Sequence, residues 1–276
     1  MKQCEIIQKD EFPPVKRIVV IGDIHGDYKA LLRILYSANI INKKKDWIAY
    51  NTSLVQLGDI LDRGGRNSTY LDEQSESKIL YLFFKLIKQS SRFNSNVHII
   101  LGNHELMNIM GDFSYTTKLG MLDFNNNRLN AFKPGGTIAT KLACNSNSIV
   151  KIGSWLFSHA GILPEVASKY TIKQVNNIIR NFLLGNTNIP EDQALINLFW
   201  HRKYGQKVKC SNVKKALELY NAEYQVVGHT LQKHGINSVC DDTLFRIDVG
   251  ISNAFGPNRK MEYLEIIDDT KVFRRP

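Results

Sequence analysis

Six residues of the chain have the types and spacing to hold metal ions together: Asp23, His25, Asp59, Asn103, His159 and His229. They offer carboxylate, amide and imidazole donors and no thiolate. That mixture suits Mn, Fe or Zn rather than an all-oxygen calcium cage. Asp23 and His25 are two residues apart, so on an extended segment they point to the same side and can share one ion. Six donors are too many for one catalytic ion with open positions, whereas two ions sharing a bridging carboxylate use them well. Such ions, about 3.5–4 Å apart, lower the pKa of a bound water and clamp a phosphoryl group for in-line attack.

The elements that must position these residues are short apolar runs. Ile18–Ile21 leads into Gly22-Asp23, Leu54–Leu57 into Gly58-Asp59, His98–Leu101 into Gly102-Asn103, and Gln225–Val227 into Gly228-His229. A fifth run, Trp155–Phe157, leads into Ser158-His159-Ala160-Gly161. The β-branched, apolar composition predicts buried strands whose following residues sit at the C-terminal rim of a sheet, where ligands of α/β folds collect. A single Gly-Asp or Gly-Asn pair is ordinarily a plain turn, and Asp23 and Asn103 also suit helix N-caps. Turn chemistry has no particular use for His, however, and a convergent metal site accounts for all five rims. The alternation of these runs with helical patterns predicts an α/β (layered α+β) fold. Ser77–Gln89 reads as a core-packing helix. His98 is expected to be packed and hydrogen-bonded, His201 and His234 to lie on the surface. Asp123–Asn130 reads as an Asn-rich surface excursion, and Cys144–Ser148 as a turn.

Five motifs in order, Gly22-Asp-Ile-His-Gly26, Gly58-Asp-Ile-Leu-Asp-Arg-Gly64, Gly102-Asn-His-Glu105, His159-Ala-Gly161 and Gly228-His-Thr230, resemble the series of the PPP-type metallophosphatases. Gly102–Asp112, Pro134-Gly-Gly136, Val227–Gln232 and Ile247–Ser252 are similar to the Shewanella-like protein phosphatase branch. The resemblance runs from about Arg17 to about Ile266 and implies one phosphoesterase domain over 1–276 with two central mixed β-sheets flanked by helices. It implies Asp23, His25 and Asp59 on one metal, with Asp59 bridging to a second held by Asn103, His159 and His229. Mn is the expected metal, with Fe or Zn as alternatives. His104 then matches the general acid and Asp62 the carboxylate that orients it. A His–Asp pair suits this role, because the carboxylate selects the tautomer and favours the imidazolium needed to donate a proton. Arg63, Arg202 and Asn103 match phosphate-binding positions, an arginine fork being able to grip two phosphoryl oxygens. The implied activity is hydrolysis of phosphorylated proteins or peptides by direct attack of a metal-bridging hydroxide.

The chain departs from the family in places. Gly65-Arg66-Asn67 stands where Pro often follows Asp-Arg-Gly, which leaves the next loop freer and gives Arg66 a chance to add to phosphate binding. Leu101 replaces the Arg that often precedes Gly-Asn-His-Glu in eukaryotic Ser/Thr phosphatases. No counterpart of their C-terminal toxin-binding loop is found, so no regulatory subunit is inferred. A dinucleoside polyphosphate hydrolase of the same fold is the nearest rival, disfavoured because that group usually lacks the equivalent of Asp62. A vestigial basic nucleic-acid-binding protein is more remote.

Bulk properties are compatible with this. The chain has 43% hydrophobic and 22% charged residues and a formal charge of +10, spread without a long basic arm. The length and composition exclude wholesale disorder. The most apolar stretch, residues 79–87, is short and contains Lys85, so it cannot span a bilayer. Cys4, Cys144, Cys210 and Cys240 contain no CxxC pair, so neither a disulfide scaffold nor a thiolate zinc site is expected and a reducing compartment fits. The charged N-terminus is unlike a signal peptide, and with no bilayer-spanning stretch the expected location is cytoplasmic.

Overall fold

In the computed structural model, residues 3–4, 7–65, 72–256 and 259–276 are described. Arg66 and Asn67 lie outside them. Two mixed sheets carry the fold. The first has the order β12 (Lys271–Arg275), β11 (Tyr263–Ile267), β2 (Arg17–Ile21), β3 (Thr52–Gln56), β4 (Asn96–Ile100) and β5 (Ser146–Asn147). The second has the order β1 (Glu11–Phe12), β6 (Ile149–Ile152), β7 (Trp155–Ser158), β8 (Tyr224–Val227), β10 (Leu244–Arg246) and β9 (Asn237–Val239). All five predicted runs are strands. Their residues are buried nearly throughout, as expected for strands covered on both faces.

Parallel pairing is what brings the site together. β2, β3 and β4 run parallel, with Ile21 opposite Gln56 and Gln56 opposite Ile99, so the loops holding Asp23, Asp59 and Asn103 leave from one edge. β7 and β8 are likewise parallel, with Phe157 opposite Val226, so His159 and His229 emerge together.

Helices cover the sheets. α1 (Tyr28–Ser37) starts at Asp27, whose carboxylate caps the Ala30 amide at 2.9 Å. α2 (Glu76–Ser90) buries Ile79, Leu80, Leu82, Phe83 and Leu86 and packs on β4, as its spacing predicts. α3 (Asn103–Ile109) begins inside the site and is buried along its whole length. α4 (Lys118–Asn126) and α5 (Arg128–Phe132) follow, then α6 (Thr137–Asn145). α7 (Pro164–Lys169), α8 (Ile172–Leu183), α9 (Gln193–Trp200) and α10 (Cys210–Leu219) belong to the second half. Of these, α8 packs on β6 and α10 on β8. No described helix is long and apolar enough to cross a membrane.

Several expectations are corrected. The predicted turn at Cys144–Ser148 is the end of α6 followed by β5, which pairs with β4 and extends the first sheet. The cysteines are not free: Cys4 bonds Cys144 and Cys210 bonds Cys240, across 140 and 30 residues of chain. Tertiary proximity, which residue spacing does not report, decides these pairs. They remove the cysteine argument for a reducing compartment, since such bonds persist in oxidising surroundings. His234 is exposed as expected, but His201 is buried; its Nε2–H donates to the Gly161 carbonyl at 3.0 Å and its Nδ1 accepts from Lys203 N. Burial holds His201 at about 4.

His98 is packed, edge-on to Phe12 at 4.6 Å, but neither ring nitrogen has a hydrogen-bond partner among the described residues. Burial lowers its pKa from 6.5 to about 3. Between those values the unfolded chain binds the extra proton, so stability falls as pH drops through this window. His98→Leu should therefore gain about 2–3 kcal/mol over wild type on going from neutral pH to about pH 4.5. Urea denaturation at the two pH values measures this, and parallel pH dependence in both proteins would refute it.

Candidate metal centre

Four of the predicted site residues hold left-handed backbone: His25 (φ 44°), Asp59 (51°), Asp62 (64°) and His229 (64°). Asp and His tolerate that conformation better than most residues, and its cost is usually borne at functional sites. Close approach of the strand-end loops also requires glycine. A Cβ on Gly102 would lie 2.2 Å from Asp59 Oδ1, and one on Gly58 would lie 2.6 Å from Gly102 N. Glu105 locks these two loops together. One carboxylate oxygen accepts the Asp59 and Gly102 amides, each at 2.8 Å, and the other accepts Ile60 and Leu61.

Two compact donor groups result: His25, Asp59 and His104, and Asp59, His159 and His229. Asp59 belongs to both. The ring orientations are set from behind, as in metal sites where a ligand's far nitrogen is tied to a carbonyl. His25 Nδ1 faces Leu61 O at 3.1 Å, His159 Nδ1 faces Leu57 O at 2.7 Å, and His229 Nε2 faces Trp200 O at 3.1 Å. In the neutral rings each of those nitrogens carries the proton, which leaves His159 Nε2 and His229 Nδ1 as acceptors facing the site. His159 Nε2 then lies 3.1 Å from Asn103 Oδ1, 3.2 Å from His229 Nδ1 and 3.3 Å from Asp59 Oδ2. The Asn103 amide nitrogen turns the other way, toward Met107 Sδ.

With both rings neutral, four lone-pair atoms converge with no donor among them. A cation satisfies all four. Without one, the cluster takes a proton instead: burial, the largest influence, opposes charge on His159, but Asp59 and Asp23 raise it to about 10. One proton can face only one of the three surrounding acceptors. Burial and the neighbouring His159 charge hold His229 at about 3, neutral and ready to ligate.

The remaining predicted residues surround this cluster. Asp23 lies outside both compact groups, its carboxylate accepting the His229 amide at 3.0 Å. Burial first, and the Asp248 charge second, push its pKa well up. His104 Nδ1 donates to Asp62 Oδ2 at 2.9 Å, while its Nε2 looks toward Asp59 Oδ2 at 3.8 Å. Arg63 is buried, none of its guanidinium nitrogens has a hydrogen-bond partner among the described residues, and the Asp27 carboxylate is 3.7 Å away. Five unspent donors in a buried site suit an oxyanion. Arg202 is exposed at the rim and donates to the His229 carbonyl at 2.9 Å.

Arg128 went unrecognised in the sequence, placed in the supposed surface excursion. Asn125, Asn126 and Asn127 are indeed exposed, but Arg128 is buried. Its guanidinium donates to Asp62 Oδ1 (3.1 Å), Glu76 Oε2 (2.6 Å), Asn108 Oδ1 (2.7 Å) and Gly120 O (2.9 Å), beside the Phe124 and Phe132 rings. Asn108 and Thr116 supply further bonds to Asp62. The only sequence signal for this role was a charge bracketed by aromatics within a polar run. Arg128→Lys keeps the charge but not the fork, and thermal unfolding should register a loss of about 2 kcal/mol. Unchanged stability would mean the fork contributes nothing.

Residues 16–233 match the family described as calcineurin-like phosphoesterase. A Shewanella-like protein phosphatase 1 of Plasmodium berghei is 34% identical, over 93% of this chain and 73% of that one. A Shewanella-like protein phosphatase 2 of Arabidopsis thaliana is 29% identical, over 98% and 80%. In fold, the chain is similar to a cold-active protein tyrosine phosphatase of a psychrophilic Shewanella species, with TM-score 0.78, 24% identity, and coverage of 98% and 83%. A Saccharomyces cerevisiae protein serine/threonine phosphatase aligns with TM-score 0.69 and 17% identity, over 98% and 82%. With its motif series, its two mixed sheets and its two His/Asp groups sharing Asp59, the chain belongs to the calcineurin-like phosphoesterase family, among the Shewanella-like protein phosphatases, and is a metallophosphatase.

Proposed function

We propose that the protein removes phosphate from phosphorylated proteins or peptides with a pair of metal ions, Mn first and Fe or Zn as alternatives. The observation that carries this is the pair of compact His/Asp groups that share Asp59. Asp23, His25 and Asp59 would hold one ion, and Asp59, Asn103, His159 and His229 the other. Bound ions of this kind supply a nucleophilic water at neutral pH and neutralise phosphoryl charge.

The chain's own residues do the rest. Arg63, with its unspent donors, grips two phosphoryl oxygens and steadies the charge that grows on them. Arg202 and Asn103 bound the same phosphate. His104 carries a proton on Nε2 to the departing oxygen, while Asp62 fixes its ring through Nδ1. Asp62 can hold that position because Arg128, Asn108 and Thr116 tie both of its oxygens.

The test uses protein stripped with a chelator and reloaded with Mn. Substrates are p-nitrophenyl phosphate, phosphopeptides carrying each hydroxyl amino acid, and a dinucleoside tetraphosphate. Metal-dependent hydrolysis of the monoesters, with the tetraphosphate left intact, is expected. A loaded protein inert toward every monoester would overturn the reading.

A further inference from the structure

Beside His104, on its solvent side, stands Tyr115. The two rings are 5.1 Å apart and nearly perpendicular, at 81°. Tyr115 is 40% exposed, so its ring is not used up in packing. The Gly64 amide donates to its carbonyl at 2.8 Å, and the next residue, Thr116, donates to Asp62 Oδ1 at 2.8 Å. Tyr115 is therefore clamped to the same loop that presents Asp62 and Arg63.

The ring also depends on a glycine. A Cβ at Gly65 would lie 2.4 Å from Tyr115 Cδ1, and Gly65 has φ +71°. A proline there, held near φ −65°, would both reverse the loop and strike the ring. Gly65 and Tyr115 thus form one device: the residue that departs from the usual Asp-Arg-Gly-Pro pattern makes room for an aromatic side chain next to the general acid. Exposed Met110 and Leu119, near it in sequence, add apolar surface to the same stretch of chain.

We propose that Tyr115 is a specificity-determining residue that favours aryl over alkyl leaving groups, and so phosphotyrosine over phosphoserine. The inference rests on the phosphatase reading above. His104 meets the leaving oxygen, so the next substrate atoms lie beside His104, where Tyr115 is an exposed neighbour. In a phosphotyrosine those atoms are a ring that can pair with Tyr115. In a phosphoserine they are one methylene and the backbone, which offer no such partner.

The experiment compares kcat/KM of the Mn-loaded protein on two peptides of identical flanks, one with phosphotyrosine and one with phosphoserine. Tyr115→Ala is expected to lower the phosphotyrosine-to-phosphoserine ratio by about two- to tenfold, the range an aromatic contact supplies. Tyr115→Phe should keep the wild-type ratio. Tyr115→Leu fills the space against Gly65 without an aromatic face, and it should lower the ratio even if the alanine variant folds poorly. Gly65→Pro should lower it too, by displacing the ring. An unchanged ratio in Tyr115→Leu, or equal losses on both peptides, would overturn the inference while leaving the phosphatase reading intact. Wild-type protein inert on both peptides would instead overturn that reading.

Discussion

Asp59→Asn is expected to lower kcat/KM by more than about a hundredfold and to leave the purified protein short of metal by elemental analysis. Asp59 is the residue common to both donor groups. Its Oδ2 faces His159, His104 and His25 at 3.3, 3.8 and 3.9 Å, and its Oδ1 accepts the His104 amide at 3.0 Å. Burial raises its pKa, but the charges of His159, His104 and His25 outweigh this and hold it well below the carboxylate range. Asn keeps the shape and one acceptor, but removes the charge and directs amide hydrogens into a cluster that needs none. The Glu105 bonds run to the backbone of residues 59–61, so the loop should stay in place. Full activity with full metal content would show that Asp59 does not link two ions.

His104→Asn separates two assignments that the geometry brings close together. His104 sits in a compact group with His25 and Asp59, yet its Nδ1 is committed to Asp62. As a general acid it should leave metal content unchanged when lost. Turnover should fall by about 10²- to 10⁴-fold for alkyl esters, which need a proton on the leaving oxygen. The loss should be much smaller for p-nitrophenyl phosphate, whose leaving group departs as a stable anion. Loss of bound metal would make His104 a ligand instead, and equal losses across leaving groups would remove the acid role. Leaving-group dependence thus reads His104, whereas aryl preference at matched flanks reads Tyr115.

The strands and the candidate metal donors were legible because their signals are local. Apolar runs such as Ile18–Ile21 and Leu54–Leu57 declare buried strands by composition, and the residue after each glycine declares chemistry by type. The helix at Ser77–Gln89 was readable from its spacing for the same reason. Convergence also followed, since parallel strands must present their C-terminal ends at one edge.

The supporting residues were not legible. Arg128 stands in a polar run, and nothing near it in sequence shows that Asp62, 66 residues away, and Glu76, 52 residues away, will meet its guanidinium. The disulfides were missed because Cys4 and Cys144 become neighbours only when the N-terminal segment lies against the end of α6. His201 was misplaced because its flanks are charged while its own ring turns under the Gly161 carbonyl. Gly65 looked like a looser loop and is the seat of an aromatic ring.

By itself the sequence determined the α/β character, the candidates for metal binding and phosphate handling, and the chemistry their types permit. Those properties reside in short segments and in the atoms of single side chains. Only the tertiary structure decided which carbonyl each histidine ring faces, what holds Asp62 against His104, and which aromatic ring stands beside His104. Each of these depends on contacts between residues tens of positions apart, and such contacts exist only once the sheets and loops have packed.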